Sequence, residues 1–146
     1  MKEIITKTAQ ETKKIGRDLA GKIAKSQSKD SQALVIGLEG ELGSGKTAFV
    51  QGLAQGLGIK EAITSPTFVI LKMVELKKGN WSYFYHIDCY RINKPGDLLD
   101  LDFKEIINQP NIVVVEWAER IKEILPKNTL WIRFEYLSQN ERKITL

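Results

Sequence analysis

A mixed α/β sheet, with central parallel strands, antiparallel additions and flanking helices, is the fold this sequence predicts. Three observations predict it. Ala33-Leu34-Val35-Ile36-Gly37-Leu38 is a short branched apolar run that leads into Gly40-Glu41-Leu42-Gly43-Ser44-Gly45-Lys46-Thr47 and then into a helix-forming segment, Ala48 to Leu57. Ile112-Val113-Val114-Val115 is β-branched at every position, as in a parallel strand buried on both faces. Alternating segments broken by turn residues, within Val69 to Cys89 and Thr129 to Leu146, supply antiparallel pairs.

The 146 residues, 42% of them hydrophobic, suit one compact domain spanning 1–146 with a sizeable core. Charged residues make up 27% and no apolar run approaches the length of a membrane helix or a signal-peptide core, so a cytoplasmic protein is expected. A single cysteine, Cys89, excludes an intramolecular disulfide and a multi-cysteine zinc site, and suits a reducing compartment. The net charge of +4 would help steer the chain toward nucleic acid or an acidic partner. With no arginine-rich run and no basic stripe interleaved with aromatics, a solvated basic surface explains it as well.

In chain order, Glu3 to Thr6 reads as a short edge strand. From Thr8, Ile15, Leu19 and Ile23 recur every four residues among Lys, Asp and Gln, which predicts an amphipathic helix ending in the polar stretch Lys25 to Asp30. The glycine loop and its helix follow; Gly52 and Gly56 lie one turn apart, Gly58 supplies a left-handed cap, and close packing on the sheet is the expected reason for glycines inside a helix. Ile63-Thr64-Ser65-Pro66-Thr67-Phe68 is a polar loop held extended by Pro66. A hairpin turning at Lys77-Lys78-Gly79-Asn80 comes next, then one or two short helices in Leu98 to Asn108. After the Ile112 strand, a short helix through Arg120 to Leu125 stops at Pro126, and the terminal pair turns at Ser138-Gln139-Asn140.

The chemistry begins at G-x-x-x-x-G-K-T, a phosphate-binding pattern that makes the fold P-loop NTPase-like. Backbone N–H groups around Gly43 to Thr47 form an anion nest at a helix N-terminus, and glycine lets the main chain approach a phosphate closely. Lys46 reaches the β- and γ-phosphate oxygens, and the Thr47 hydroxyl is a ligand for Mg²⁺. Such a site needs an acid at the end of a strand beside the loop strand, and Glu116 occupies that place. Asp88 is a second candidate; the alternative for it is a surface salt bridge with Arg91. The Thr64 to Thr67 hydroxyls reach toward metal or phosphate, or merely connect. His86 reads as a packed residue rather than a general base. Trp117 packs over the nucleotide or presents a partner surface. Asn93-Lys94-Pro95-Gly96 lacks the aspartate of a guanine-reading Asn-Lys-x-Asp segment, which favours ATP over GTP.

Four segments in order, Gly40 to Thr47, Ser65-Pro66-Thr67-Phe68, His86-Ile87-Asp88-Cys89-Tyr90-Arg91 and Val115-Glu116-Trp117-Ala118-Glu119-Arg120, together resemble the TsaE family of bacterial tRNA threonylcarbamoyladenosine synthesis. The resemblance implies an ATPase working with a TsaB–TsaD pair, with ATP and Mg²⁺ as cofactors and tRNA contact, direct or through the partners, left open. It implies Lys46, Asp88 and Glu116 as catalytic residues, and Thr47 and Glu116 on the metal. Glu41, Leu42, Gly43, Ser44, Gly45, Lys46, Thr47, Ala48 and Trp117 are the implied nucleotide-binding set, and Ser65 to Phe68 resembles a switch loop. Three residues depart from the family pattern: Ala48 where a second hydroxyl is usual, Ala118 for proline and Asp102 for glycine. A small-metabolite kinase and a non-hydrolysing nucleotide-dependent binding module are the alternatives.

Overall fold

The structure, a computed structural model, describes residues 2–61, 71–77, 79–99 and 102–146, with the backbone alone at 29 and 99. The segment Ile63 to Phe68, with its proposed switch loop, lies outside the described residues. In chain order the elements are strand β1 (Glu3–Thr6), helix α1 (Ala9–Ala24), strand β2 (Leu34–Gly40), helix α2 (Lys46–Gly56), strands β3 (Leu71–Glu75) and β4 (Tyr83–Asp88), helices α3 (Gly96–Leu99) and α4 (Phe103–Ile107), and strand β5 (Ile112–Glu116). A 3₁₀ segment over Ala118–Ile124 then leads to β6 (Leu130–Tyr136) and β7 (Arg142–Thr145).

All seven strands join one sheet in the order β1-β7-β6-β2-β5-β4-β3. The strand that feeds the glycine loop is therefore central. β2 runs parallel to β5 and to β6, and β4 runs parallel to β5, while β3 and the β1, β7 and β6 neighbours pair antiparallel. β2 extends two residues beyond the apolar run because Glu39 and Gly40 pair with Arg133 and Phe134 of β6.

Alternation along the strands divides the core in two. Ile36, Leu38, Val114, Ile132 and Phe134 face α1 and α2 and pack on Phe49 and Leu53. Val35, Val113, Val115 and Ile87 face the other way, onto Phe103, Ile106 and Ile121. Burying each such side chain stabilises the fold by about 1.5–3 kcal/mol before the entropy of ordering it is subtracted.

α1 starts where Thr8 caps it, its side chain accepting the Glu11 amide at 3.1 Å. The interior glycines of α2 serve a different neighbour from the one the sequence suggests. A Cβ on Gly52 would collide with the Lys13 carbonyl of α1, one on Gly56 with Ala20 and Arg17, and one on Gly16 with the Phe49 carbonyl of α2. They face helix α1 rather than the sheet, because the sheet side of α2 is filled by Phe49, Val50 and Leu53.

Candidate functional site

The carboxyl ends of β2, β4 and β5 meet where α2 begins. Gly43 and Gly45 of the intervening loop take φ of 77° and 104°, values that side chains beyond glycine rarely adopt, so the loop can curl back into the first turn of α2. Lys46 opens that helix. Its ammonium donates to the carbonyls of Gly40 and of Glu41, the latter at 2.9 Å, and sits 4.2 Å from the centre of the Trp117 ring. Ser44 Oγ is buried and has no hydrogen-bond partner among the described residues.

Two acids close the other side. Glu116 ends β5 with Oε1 3.4 Å from Thr47 Oγ1, so the loop hydroxyl and the strand-end carboxylate share one space. Asp88 stands directly opposite Glu116 in the parallel register, and its Oδ1 accepts the Tyr90 amide at 2.9 Å. Burial, above all, raises the Asp88 pKa, with Glu116 adding to the rise against the Tyr90 hydrogen bond. Burial also lowers the Lys46 pKa, while Glu116, Glu119, Asp88 and Glu41 pull it back up. The arrangement is a cation and two strand-end carboxyl groups around a nest of main-chain donors, which suits a polyanion carrying a metal ion.

A cavity of about 390 Å³ is lined by Leu42 to Ala48 with Asp88, Tyr90, Arg91, Glu116 and Trp117. Among the described residues it unites the loop, Asp88, Glu116 and Trp117 read from the sequence, but not Glu41, whose side belongs to a separate depression of about 680 Å³ beyond Leu42 and Trp117. Trp117 takes φ 58°, a left-handed conformation that costs an L-residue of this bulk about 1–2 kcal/mol, and this turn lays its ring against Lys46. Tyr90 packs on the same ring at 5.2 Å, and the Arg120 guanidinium lies 5.3 Å from it. Cys89 is buried, and burial, chiefly, pushes its thiol up to about 12.

Two features escaped the sequence reading. His86 is packed, as expected, yet its Nε2 lies 2.5 Å from Glu116 Oε2 with both side chains almost wholly buried. A second cleft of about 280 Å³ runs from Gly43, Gly45 and Ala48 to Thr8, Thr12, Gln139, Asn140 and Arg142. Only tertiary structure brings the start of α1 and the β6–β7 turn to the loop; Arg142 Nε donates to the Gly43 carbonyl at 2.9 Å. Among the described residues no group of three or more His, Cys, Asp or Glu side chains could hold a metal by itself. No helix there is long and apolar enough to cross a membrane.

Fold and site together define a mixed α/β protein whose glycine-loop cleft opens at the carboxyl edge of its central parallel strands. The family described as "Threonylcarbamoyl adenosine biosynthesis protein TsaE" matches residues 6–144. The chain belongs to the TsaE family, which acts in tRNA threonylcarbamoyladenosine biosynthesis. It is 37% identical over 142 residues to the TsaE protein of Treponema pallidum, covering 97% of both chains. Against the TsaE protein of Aquifex aeolicus it is 34% identical over 148 residues, covering 100% of this chain and 96% of the relative. The crystal structure of Bacillus subtilis YdiB superposes with a TM-score of 0.76 at 33% identity, over 98% of this chain and 82% of that one.

Proposed function

We propose that the chain is a magnesium-dependent ATPase whose hydrolysis depends on a TsaB–TsaD pair and supports threonylcarbamoylation of the adenosine next to the tRNA anticodon. The observation that carries this reading is the meeting of Thr47 Oγ1 and Glu116 Oε1 at 3.4 Å, beside Lys46 and a glycine loop, in one cavity. The residues fit Mg-ATP on their own chemistry: the buried Ser44 hydroxyl has no partner among the described residues, and the loop offers main-chain donors and an ammonium. One or two protein oxygens are what Mg²⁺ asks for when phosphates and water complete its shell.

Mg-ATP would supply the phosphoanhydride that is cleaved and the metal charge that stabilises its transition state. Lys46 would exchange its two carbonyl partners for phosphate oxygens, and Thr47 with Glu116 would hold the metal. Asp88, its pKa raised by burial, is suited to orient a water or accept a proton from it. The cleft lined by Thr8, Thr12, Asn140 and Arg142 would take the nucleoside, since it shares Gly43, Gly45 and Ala48 with the loop cavity. Ala48 then lies at the junction of the two cavities, where its methyl offers no hydrogen bond.

Hydrolysis of ATP measured with and without the purified TsaB–TsaD pair tests the proposal. Partner-stimulated turnover that Glu116→Gln removes is the expected result. Rapid phosphorylation of a nucleoside or sugar by the chain alone would favour a kinase, and tight ATP binding with no turnover in either case would favour a binding module.

A further inference from the structure

We propose that His86 makes Glu116 a one-oxygen metal ligand and so selects Mg²⁺ over the larger Ca²⁺. The inference rests on Glu116 being the metal-holding carboxylate. Phe84, His86 and Asp88 of β4 alternate onto the same face as Ile112, Val114 and Glu116 of β5, and His86 stands opposite Val114 in the parallel register. That face turns from apolar to polar toward the carboxyl edge, which brings the imidazole diagonally against the Glu116 carboxylate. The two carboxylate oxygens have different partners: Oε2 meets His86 Nε2 at 2.5 Å, and Oε1 meets Thr47 Oγ1 at 3.4 Å. His86 and Glu116 side chains are 1% and 3% exposed, so no bulk water substitutes for the imidazole.

Two consequences follow. With the ring proton on Nε2, the imidazole donates to Oε2, takes up one of that oxygen's lone pairs and fixes the carboxylate plane, leaving Oε1 to face the cavity. Presenting both oxygens to one cation would break a buried hydrogen bond. Mg²⁺ accepts single oxygens in a tight octahedron of about 2.0–2.1 Å, whereas Ca²⁺ takes about six to eight oxygens and favours two-oxygen carboxylates. A carboxylate restricted to one oxygen therefore withholds a ligand that calcium can use and magnesium does not need. His86 is a positioning residue, acting on the metal through Glu116.

Calorimetric titration of ATP in Mg²⁺ and in Ca²⁺ tests this with wild type, His86→Leu, His86→Gln and Glu116→Gln, and binding rather than turnover is read. His86→Leu should lower the Mg²⁺-over-Ca²⁺ affinity ratio about tenfold, and His86→Gln, whose amide still donates, should stay within about threefold of wild type. A folded His86→Leu protein with the wild-type ratio overturns the proposal. If that variant does not fold, the wild-type imidazole N–H resonance decides: a slowly exchanging Nε2 proton that persists with Mg-ATP supports it, and loss of that proton overturns it. Should Glu116→Gln keep the full metal dependence, the ligand reading of Glu116 fails and this inference fails with it. If Glu116→Gln loses that dependence while His86→Leu keeps the ratio, the inference alone fails.

Discussion

Lys46 is 5% exposed and holds its ammonium between two main-chain carbonyls and an indole face, so its charge is aimed into the loop rather than spread into solvent. A charge-assisted contact of about 1.5–3 kcal/mol is at stake, so Lys46→Ala should weaken Mg-ATP binding about 10- to 100-fold by calorimetry. Unchanged affinity would remove the lysine from the phosphate site. Asp88 gives a second prediction, from pH. Its folded pKa lies above the ordinary 3.8, so the folded state holds a proton more tightly than the unfolded chain. Asp88 therefore favours folding least when ionised: stability is lost as pH rises from the unfolded value through the raised one. Asp88→Asn should raise the melting temperature at pH 7 without nucleotide and flatten that decline, and a lowered melting point would contradict it. Glu116 was readable from the sequence because a β-branched run ends on it. The His86 partnership was not, since it depends on β4 and β5 being parallel neighbours in one particular register, and nothing local to either strand states that. Asp102 adopts φ 58°, and aspartate is among the few side chains that tolerate this region.

The packing of α1 on α2 is made at Gly16, Gly52 and Gly56, where backbone meets backbone. In an isolated helix Gly52→Ala would gain about 1 kcal/mol of propensity. Here the new methyl meets the Lys13 carbonyl, and the overpacking cost of about 1–3 kcal/mol wins, so a lower denaturant midpoint is expected for Gly52→Ala. A higher midpoint would show that the helices separate freely. Because α2 begins at Lys46, a shift of that helix would displace the lysine and Thr47 as well, and weaker nucleotide binding should accompany the loss of stability. The sequence placed Gly52 and Gly56 on one face of the helix, which is a local fact of period 3.6. The expectation that the sheet approaches that face failed, because the pattern does not distinguish the sheet from an amphipathic helix such as α1.

Seen as a whole, the sheet runs in the order β1-β7-β6-β2-β5-β4-β3, and the two parallel neighbours of β2 both come from the last third of the chain. Element types were legible because apolar runs, turns and caps are local signals. Strand order, and with it the cleft joining Thr8 and Thr12 to Asn140 and Arg142, was not, because it depends on pairings between distant segments. Mg-ATP spanning that cleft and the loop should stabilise the whole molecule. At a ligand concentration of about 100 times Kd the gain is about 2.7 kcal/mol, read as a rise in melting temperature; Lys46→Ala, weakened about 10- to 100-fold, should keep only about 0.4–1.4 kcal/mol of it at the same concentration.

The central position of β2 also fixes an order of events during synthesis. β2 ends at Gly40, yet β5 begins at Ile112 and β6 at Leu130, so both edges of the loop strand stay unpaired until most of the chain has been made. Helices α1 and α2 can form early from local contacts, but pairings this distant are slow to close. A nascent chain stopped before β6 would carry the whole glycine motif and still lack Arg142, which holds the Gly43 carbonyl. The loop thus reaches its full set of neighbours only in nearly complete chains, and the exposed edges of β2 are an aggregation hazard in any fragment that lacks its later partners.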